Sequence, residues 1–541
     1  MAVSDYRDKR FLIIDSLKPS RDLLKQFAFN LQPDVVEASG YSNDIITRCS
    51  ENHYDVLLLG YDLGDSRKNG QQLLEELRVN NLVNRQSVVI LITAENTQAM
   101  VLAALEHKPD DYLTKPYRIK DLLTRLDRCY KKKRDMGDIY QALDEKDPEK
   151  AIALCDRAIE LKTPYQAECF GIKSRQLFAL EEYELAAKIY RRFETEKNCQ
   201  WATIGLGKIA LQKEHYNDAI SYFSGLLEQS PLYLSSYDWL ATSYEIIEQY
   251  QQAQDVLEKA VTLSPLSVKR VERYAKLCFD NGNYEKATSA FDQNYQIAYN
   301  SIHHKPENAF NFSESLNKLA HELSDYQFKI KKNRVVSALS ETNRNFNQLG
   351  IKLQSQLHTV RLMQKNKEEY DAKRMLKSAE SLIEKVGDDL DNTSLVGIAK
   401  LLGHLDRQAL ASQLITKVVE RAPDNLALLN EAESITDTNE KLAERKETQL
   451  ALNQAANSYT EKDFISAYKR LNEAYQRYPH HIGIKLNLVQ TLLAIYIESK
   501  KQESLVKAGK LLSSITGLSR DNPAFPRFSR LNSEFKNLNN R

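Results

Sequence analysis

The sequence predicts two architectures in one chain, a doubly wound parallel α/β domain at the amino end and an all-α solenoid of helical repeats behind it. Three observations predict them. Short apolar runs alternate five times with amphipathic stretches up to about residue 130, no strand pattern appears beyond about residue 137, and small residues then recur at an interval of 34.

The first run, Phe11-Leu12-Ile13-Ile14-Asp15, is β-type, and Arg21 to Leu31 follows with helical spacing. The pattern repeats as Val35 to Ala38 with Asn43 to Cys49, Val56 to Leu59 with Gln71 to Leu77, and Val88 to Thr93 with Thr97 to Leu105. A last strand at Tyr112-Leu113-Thr114 precedes a helix from Ile119 to Cys129. Repeated βαβ crossovers give a parallel sheet covered on both faces, a flavodoxin-like arrangement whose chemistry sits at the carboxyl ends of the strands.

The motifs Ile13-Ile14-Asp15-Ser16, Ile92-Thr93-Ala94-Glu95 and Asp110-Asp111-Tyr112-Leu113-Thr114-Lys115-Pro116-Tyr117, with Gly70 to Arg78 behind the third strand, stand in this order along the domain. Over about residues 8 to 130 they resemble the CheY-like receiver domains of bacterial response regulators. The resemblance implies acids that hold Mg²⁺, an aspartate that takes a phosphoryl group, and a hydroxyl and a lysine that meet the phosphoryl oxygens. By position Asp15 matches one metal acid, Thr93 and Lys115 match the hydroxyl and the lysine, and Tyr112 matches the aromatic that changes rotamer on activation. Ser16 stands where a second acid is usual, and Gly60 falls on the phosphoacceptor, where it has no side chain to modify. The charges of Asp15 and Lys115 cancel, so Mg²⁺ binding through Asp15 is expected to be weak or lost. Asp62 is the candidate substitute acceptor: its eight-residue distance to Gly70 resembles the spacing of many receivers, but using it would lengthen the strand by two residues. The expectation is a degenerate receiver kept for protein contacts. Thr93 also reads as an ordinary β-branched strand residue, and Lys115 as a surface lysine before a turn proline.

Beyond this domain Ala219, Ala253 and Ala287 are 34 residues apart, as are Gly207, Ala241 and Ala275, with Phe223, Leu257 and Phe291 in step and Pro231 and Pro265 closing two units. That is the tetratricopeptide signature, in which small residues let antiparallel helices approach closely and proline stops the second helix. Looser units centre on Ala151, Ala186, Ala372, Ala411 with Pro423, Ala467 with Pro479, and Ala508. The expected organisation is a receiver at 1–133, a first solenoid block at 134–299, an irregular helical spacer at 300–354, a second block at 355–520 and a tail at 521–541. Tyr237, Tyr244 and Tyr274 read as core residues of the repeats.

Length and charge agree with a multidomain interaction protein. The chain has 541 residues, more than one core serves, and 75 basic against 74 acidic residues leave a net charge of +1. Neither nucleic acid nor anionic lipid is expected as a partner. Glycine (17) and proline (13) are scarce, as suits helices. The six cysteines form no Cys-x-x-Cys pair and read as buried thiols of a reducing compartment. Residues 1–10 show no secretory signal, and no apolar run approaches the ~20 residues of a membrane span, so a cytoplasmic protein without membrane insertion is expected. The basic run Lys131 to Arg134 reads as a solvated helix end, and the pairs His303-His304 and His480-His481 lack ligand partners at metal-binding spacing.

No Walker loop, Gly-x-Ser-x-Gly or Gly-x-Gly-x-x-Gly motif is present, and no enzyme and no cofactor are expected. The whole chain resembles receiver-plus-tetratricopeptide response regulators, the VieB-like ones among them. The resemblance implies two-component signalling, with a sensor histidine kinase or another signalling protein at the receiver and a second protein on the concave face of the solenoid. Two other readings stay open: a phosphorylatable regulator using Asp62 with Mg²⁺, and a helical scaffold of another complex with a vestigial receiver.

Overall fold

The computed structural model describes residues 5–42, 44–64, 68–94, 97–106, 108–196, 199–421, 435, 454–477, 482–515 and 525–539. The chain divides into two compact units, residues 1–338 and 339–541.

The first unit opens with β1 (Arg10–Ile14), α1 (Lys18–Phe29), β2 (Val35–Ser39), α2 (Ile45–Glu51), β3 (Val56–Gly60), α3 (Gly70–Val79), β4 (Val88–Thr93), α4 (Gln98–Glu106), β5 (Asp111–Thr114) and α5 (Ile119–Asp135). The strands form one sheet in the order β2-β1-β3-β4-β5, every pair parallel. Strand side chains alternate between faces, which is why continuous apolar runs were needed. Phe11, Ile13, Val56, Leu58, Ile90 and Ile92 meet Leu24, Phe27, Leu122 and Leu126 on one face, while Leu12, Leu57, Leu59 and Leu91 meet Ile45, Leu73, Leu74 and Leu77 on the other.

The run Lys131 to Arg134 is not simply a solvated end: α5 continues through it, Lys132 pairs with Glu168 at 2.6 Å, and Lys133, only 11% exposed, pairs with Asp110 at 2.7 Å. After Met136 the helical hairpins begin: α6 (Gly137–Asp144), α7 (Pro148–Glu160), α8 (Gln166–Ala179), α9 (Tyr183–Phe193), α10 (Gln200–Gln212), α11 (Tyr216–Gln229), α12 (Leu234–Ile246), α13 (Tyr250–Leu263), α14 (Val268–Asp280) and α15 (Tyr284–Ala298). Ala219, Ala253 and Ala287 are wholly buried, and Tyr237 and Tyr274 are core residues. A Cβ on Gly207 would stand 2.4 Å from the Phe223 ring, which explains the small residue at that repeat position.

The turns inside successive hairpins share one left-handed residue: Glu181 (φ 62°), Glu214 (φ 60°), Glu248 (φ 60°) and Gly282 (φ 80°), each two residues before the tyrosine that starts the next helix. Glutamate is strained there by about 1 kcal/mol and glycine is not. Glu248 is exposed. Glu248→Gly should therefore raise the stability of the first unit by about 0.5 kcal/mol, read as a higher urea midpoint of the full chain.

Residues 300–354, expected as an irregular spacer, hold the regular helices α16 (Pro306–Leu319) and α17 (Asp325–Asn345), a short 3₁₀ turn at Ala320–Glu322 and the start of α18 (Leu349–Lys365). The second unit continues with α19 (Glu369–Val386), α20 (Asn392–Gly403), α21 (Gln408–Arg421), α22 (Phe464–Arg477), α23 (Ile482–Ser499), α24 (Gln502–Ser513) and α25 (Phe525–Asn539). Leu376, Ala379, Leu402 and Leu414 share one of its cores. Within the segment expected as a tail, α25 buries Leu531 against Leu492, Leu505 and Leu512. Pro423, Pro479 and the His480-His481 pair lie outside the described residues. Among the described residues no helix is long and apolar enough to cross a membrane. All six cysteines are buried free thiols.

Candidate functional site

The carboxyl edge of the sheet gathers most of the residues singled out above. Asp15 follows β1 directly and is 1% exposed. Its two oxygens are engaged: Oδ1 accepts from the Leu17 amide at 2.9 Å, while Oδ2 accepts from the Ser20 hydroxyl at 2.8 Å and the Lys115 ammonium at 2.7 Å. Lys115 follows β5 and is fixed by its own amide, which donates to the Thr93 carbonyl at 2.6 Å. Thr93 ends β4 and is buried, its hydroxyl 3.9 Å from the Met100 sulfur. Tyr112 is half-buried and packs on the α2–α3 side of the sheet. The Asp15 charge also reaches Tyr117, whose phenol is pushed up to about 12, first by burial and then by that carboxylate.

Gly60 is the last residue of β3, beside β1. A Cβ there would point at Asp15, 3.2 Å from its Cα and from Oδ2. The position matched to the phosphoacceptor thus faces the acid of the site and supplies no side chain. Gly70 presses on the same spot from α3, because a Cβ on it would lie 2.1 Å from the Gly60 carbonyl oxygen. Asn69 and Gln72 cap that helix reciprocally, so the close approach is built into the helix start.

Asp62 is placed differently from the other candidates. Its side chain is exposed, with Oδ1 accepting from the Gly64 amide at 2.9 Å, and its backbone carbonyl accepts from the Ser16 hydroxyl at 2.9 Å. Ser16, where a second acid would stand, therefore ties the loop down. An Mg²⁺ ion requires near-octahedral oxygen donors at about 2.1 Å. Asp15 offers oxygens already bonded to an ammonium, a hydroxyl and an amide, a donor set that does not fit the ion.

Sequence reasoning missed a second set of polar residues, between the α/β domain and the hairpins. Arg270 of α14, 6% exposed, bonds Glu106 at the end of α4 and Asp238 of α12, the latter through Nε at 2.9 Å and Nη2 at 2.8 Å. Burial opposes its charge, yet the two carboxylates outweigh burial and raise its pKa. His303 meets Glu75 of α3 at 2.8 Å, so this histidine has a carboxylate partner brought from far away in sequence. Gln72 of α3 donates to the Ile297 carbonyl at 3.2 Å. These contacts border a cleft of about 430 Å³ that Tyr61, Gln72 and Glu75 line on one side and Ser267, Asn300 and His303 on the other. The partners are up to 228 residues apart, and no local pattern announces them. Among the described residues no group of three or more histidine, cysteine, aspartate or glutamate side chains is placed to hold a metal ion.

Comparison with known families agrees with this geometry. Residues 11–127 match the response regulator receiver domain. The amino-terminal segment is a receiver domain. Residues 234–265, spanning α12 and α13, match the tetratricopeptide repeat. Among solved structures, the Francisella response regulator 1452 receiver domain is 25% identical, covering 23% of this chain and 98% of its own (TM-score 0.20). The CheY-like receiver domain protein from Methanospirillum hungatei JF-1 is 21% identical, covering 24% of this chain and 98% of its own (TM-score 0.21). The MamA RS-1 ArsTM double mutant is 18% identical, covering 30% of this chain and 90% of its own (TM-score 0.26). A receiver domain joined to tetratricopeptide-type helices is the make-up of a response-regulator-like protein with a helical region for protein interaction.

Proposed function

We propose that this chain is a two-component signalling adaptor whose receiver domain docks a sensor histidine kinase or another regulator without taking phosphate, while its helical region holds a second protein. The observation that carries this reading is Gly60 at the end of β3, where a side chain would stand 3.2 Å from an Asp15 already held by Lys115, Ser20 and the Leu17 amide. In a phosphorylated receiver the lysine would meet the phosphoryl oxygens; here the Asp15 carboxylate takes that contact. Thr93 and Lys115 then serve to hold the carboxyl edge in one arrangement. The protein works by occupying a partner's surface, with no Mg²⁺ and no catalytic step.

The test is direct. The full chain, incubated with acetyl phosphate and Mg²⁺, should show no mass increase of one phosphoryl group, whereas a receiver with an intact aspartate run alongside should show it. A phosphoryl adduct that vanishes in Asp62→Ala would replace this reading with that of a phosphorylated regulator. Co-purification from a bacterial extract should recover a kinase or regulator bound through the receiver; recovery of an unrelated complex alone would favour a scaffold.

A further inference from the structure

Five cations gather where the receiver faces the inner helices of the first hairpins. Arg78 lies in the last turn of α3, Arg85 before β4 and Lys108 in the turn after α4, while Arg175 and Lys208 come from α8 and α10. Arg175 and Lys208 each stand six residues before a left-handed turn residue, Glu181 and Glu214, so they hold equivalent positions on the first helices of successive hairpins. Such helices stack about 8–10 Å apart, and the two cations form a stripe across them.

The group is under-neutralised. Among the described residues no hydrogen bond or ion pair holds the side chains of Arg175, Lys108 or Lys208, and Lys208 rests over the Trp239 ring at 4.2 Å. The nearby carboxylates are already used: Asp110 by Lys133 at 2.7 Å, Asp144 by Arg85 at 2.9 Å, and Glu168 by Lys132 at 2.6 Å. Lys108 is held below the usual lysine value by burial and then by Arg175, Arg85 and Arg78, and Lys208 by burial and then by Arg175 and Lys108. Arg175 is exposed, with its guanidinium beside Gly171, and neighbouring atoms that crowd out water lower its pKa. Beside it, close to Tyr233, runs an open, largely apolar groove of about 600 Å³ lined by Val101 and Leu102 of α4, Gln200 of α10, and Pro231, Leu232 and Tyr233.

We propose that this cationic patch, built jointly by receiver and hairpins, is the docking site for an extended acidic segment of the partner protein, with carboxylates on Arg175, Lys208 and Lys108 and an apolar side chain in the groove beside Tyr233. The spacing favours a peptide over a small anion. Cations carried on neighbouring helices, whose axes lie about 8–10 Å apart, match carboxylates about three residues apart on an extended chain at ~3.3 Å per residue. Several unpaired cations close together attract carboxylates more strongly than one isolated charge would. This inference rests on the reading of the helical region as a protein-binding element and adds the chemistry of what it binds.

The chain contains two tryptophans, and both report on the patch. Trp239 lies under Lys208, and Trp201 and the Arg175 guanidinium approach the same face of Gly171. Titrating the full chain with a synthetic peptide of about 12 residues made of Glu, Asp and Leu should give a saturable change in tryptophan fluorescence. Its amide counterpart, with Gln and Asn for Glu and Asp, should give none. The double substitution Arg175→Glu, Lys208→Glu should weaken binding by about tenfold or more, and raised salt should weaken it in the parent chain. Lys259→Glu, on an exposed helix face, controls for net charge and should bind as the parent does. If the double glutamate chain fails to fold by circular dichroism, Arg175→Gln, Lys208→Gln is read the same way. No saturable change with the acidic peptide, equal binding by the double variant, or tight binding of tripolyphosphate without the peptide would each overturn the proposal. Phosphate uptake at Asp62 alongside peptide binding would remove only the inert-receiver reading, and a co-purified partner alongside peptide failure would remove only this one.

Discussion

Arg270→Ala should separate the receiver from its own hairpins at α4. The change leaves Glu106 and Asp238 facing each other without the guanidinium that joined them. Breaking a buried pair of this kind costs about 3–5 kcal/mol. The Glu106 and Asp238 side chains remain 22% and 37% exposed, so solvent recovers part of that, and a loss of about 2–3 kcal/mol is expected. Two measurements check it: a lower urea midpoint for the full chain, and faster amide hydrogen exchange along α4 with little change in the distant hairpin α6–α7. Arg270→Lys should recover only part of the loss, because one ammonium cannot present the planar fork that meets Asp238 with two bonds and Glu106 with a third. In Arg270→Ala, Glu106→Gln the penalty should shrink, since no charge is then left behind on α4.

Gly70→Ala should be still more damaging. The new methyl would sit 2.1 Å from the Gly60 carbonyl oxygen, a backbone atom that cannot turn aside, so α3 must shift away from β3. A loss of about 3 kcal/mol or more is expected, seen as early melting of the receiver by circular dichroism. Gly60→Ala offers the contrast. Its methyl would meet Asp15 atoms at 3.2 Å, a tight fit that small movements relieve, and about 1 kcal/mol is expected. The fold therefore demands glycine at position 70 and not at position 60. Lack of an acceptor at Gly60 is a property of the site and not a requirement of the backbone.

Much of this was legible in the sequence because it is local. Each strand is a continuous apolar run, so its register follows from burial on two faces, and β4 has the expected limits of Val88 and Thr93. Asp15, Gly60, Thr93 and Lys115 come together because doubly wound topology carries every strand end to one edge. The repeat interval showed through Ala219, Ala253 and Ala287 because two helices crossing closely leave no room for more than a methyl group. What stayed hidden depends on the third dimension. Nothing near Arg270 in sequence points to Glu106, and His303 has no acid beside it until α3 brings Glu75. The region after Tyr299 lacks the 34-residue interval and reads from the sequence as irregular or extended helices, and α17 runs there for 21 residues. Missing periodicity is a statement about stacking partners, not about helix formation. The loop of Asp62 was ambiguous for a different reason: its conformation is decided by single hydrogen bonds from Ser16 and Gly64, which spacing does not reveal.

The passage from α5 to α6 has a practical consequence. One residue, Met136, separates the two helices, and it is buried with Ile139, Tyr140 and Cys155 in the first hydrophobic cluster of the hairpins. Lys133 meanwhile bonds back to Asp110 and to the Arg85 carbonyl and lies over the Tyr140 ring. The receiver is thus not a cassette that can be exchanged at its last helix. Chimeras that graft another receiver onto these hairpins, or truncations that begin at residue 134, would remove part of the foundation on which the first hairpin stands, and a cut after α7 would still break the Lys132–Glu168 pair and the packing of Cys169 and Ile172 of α8 in the same cluster.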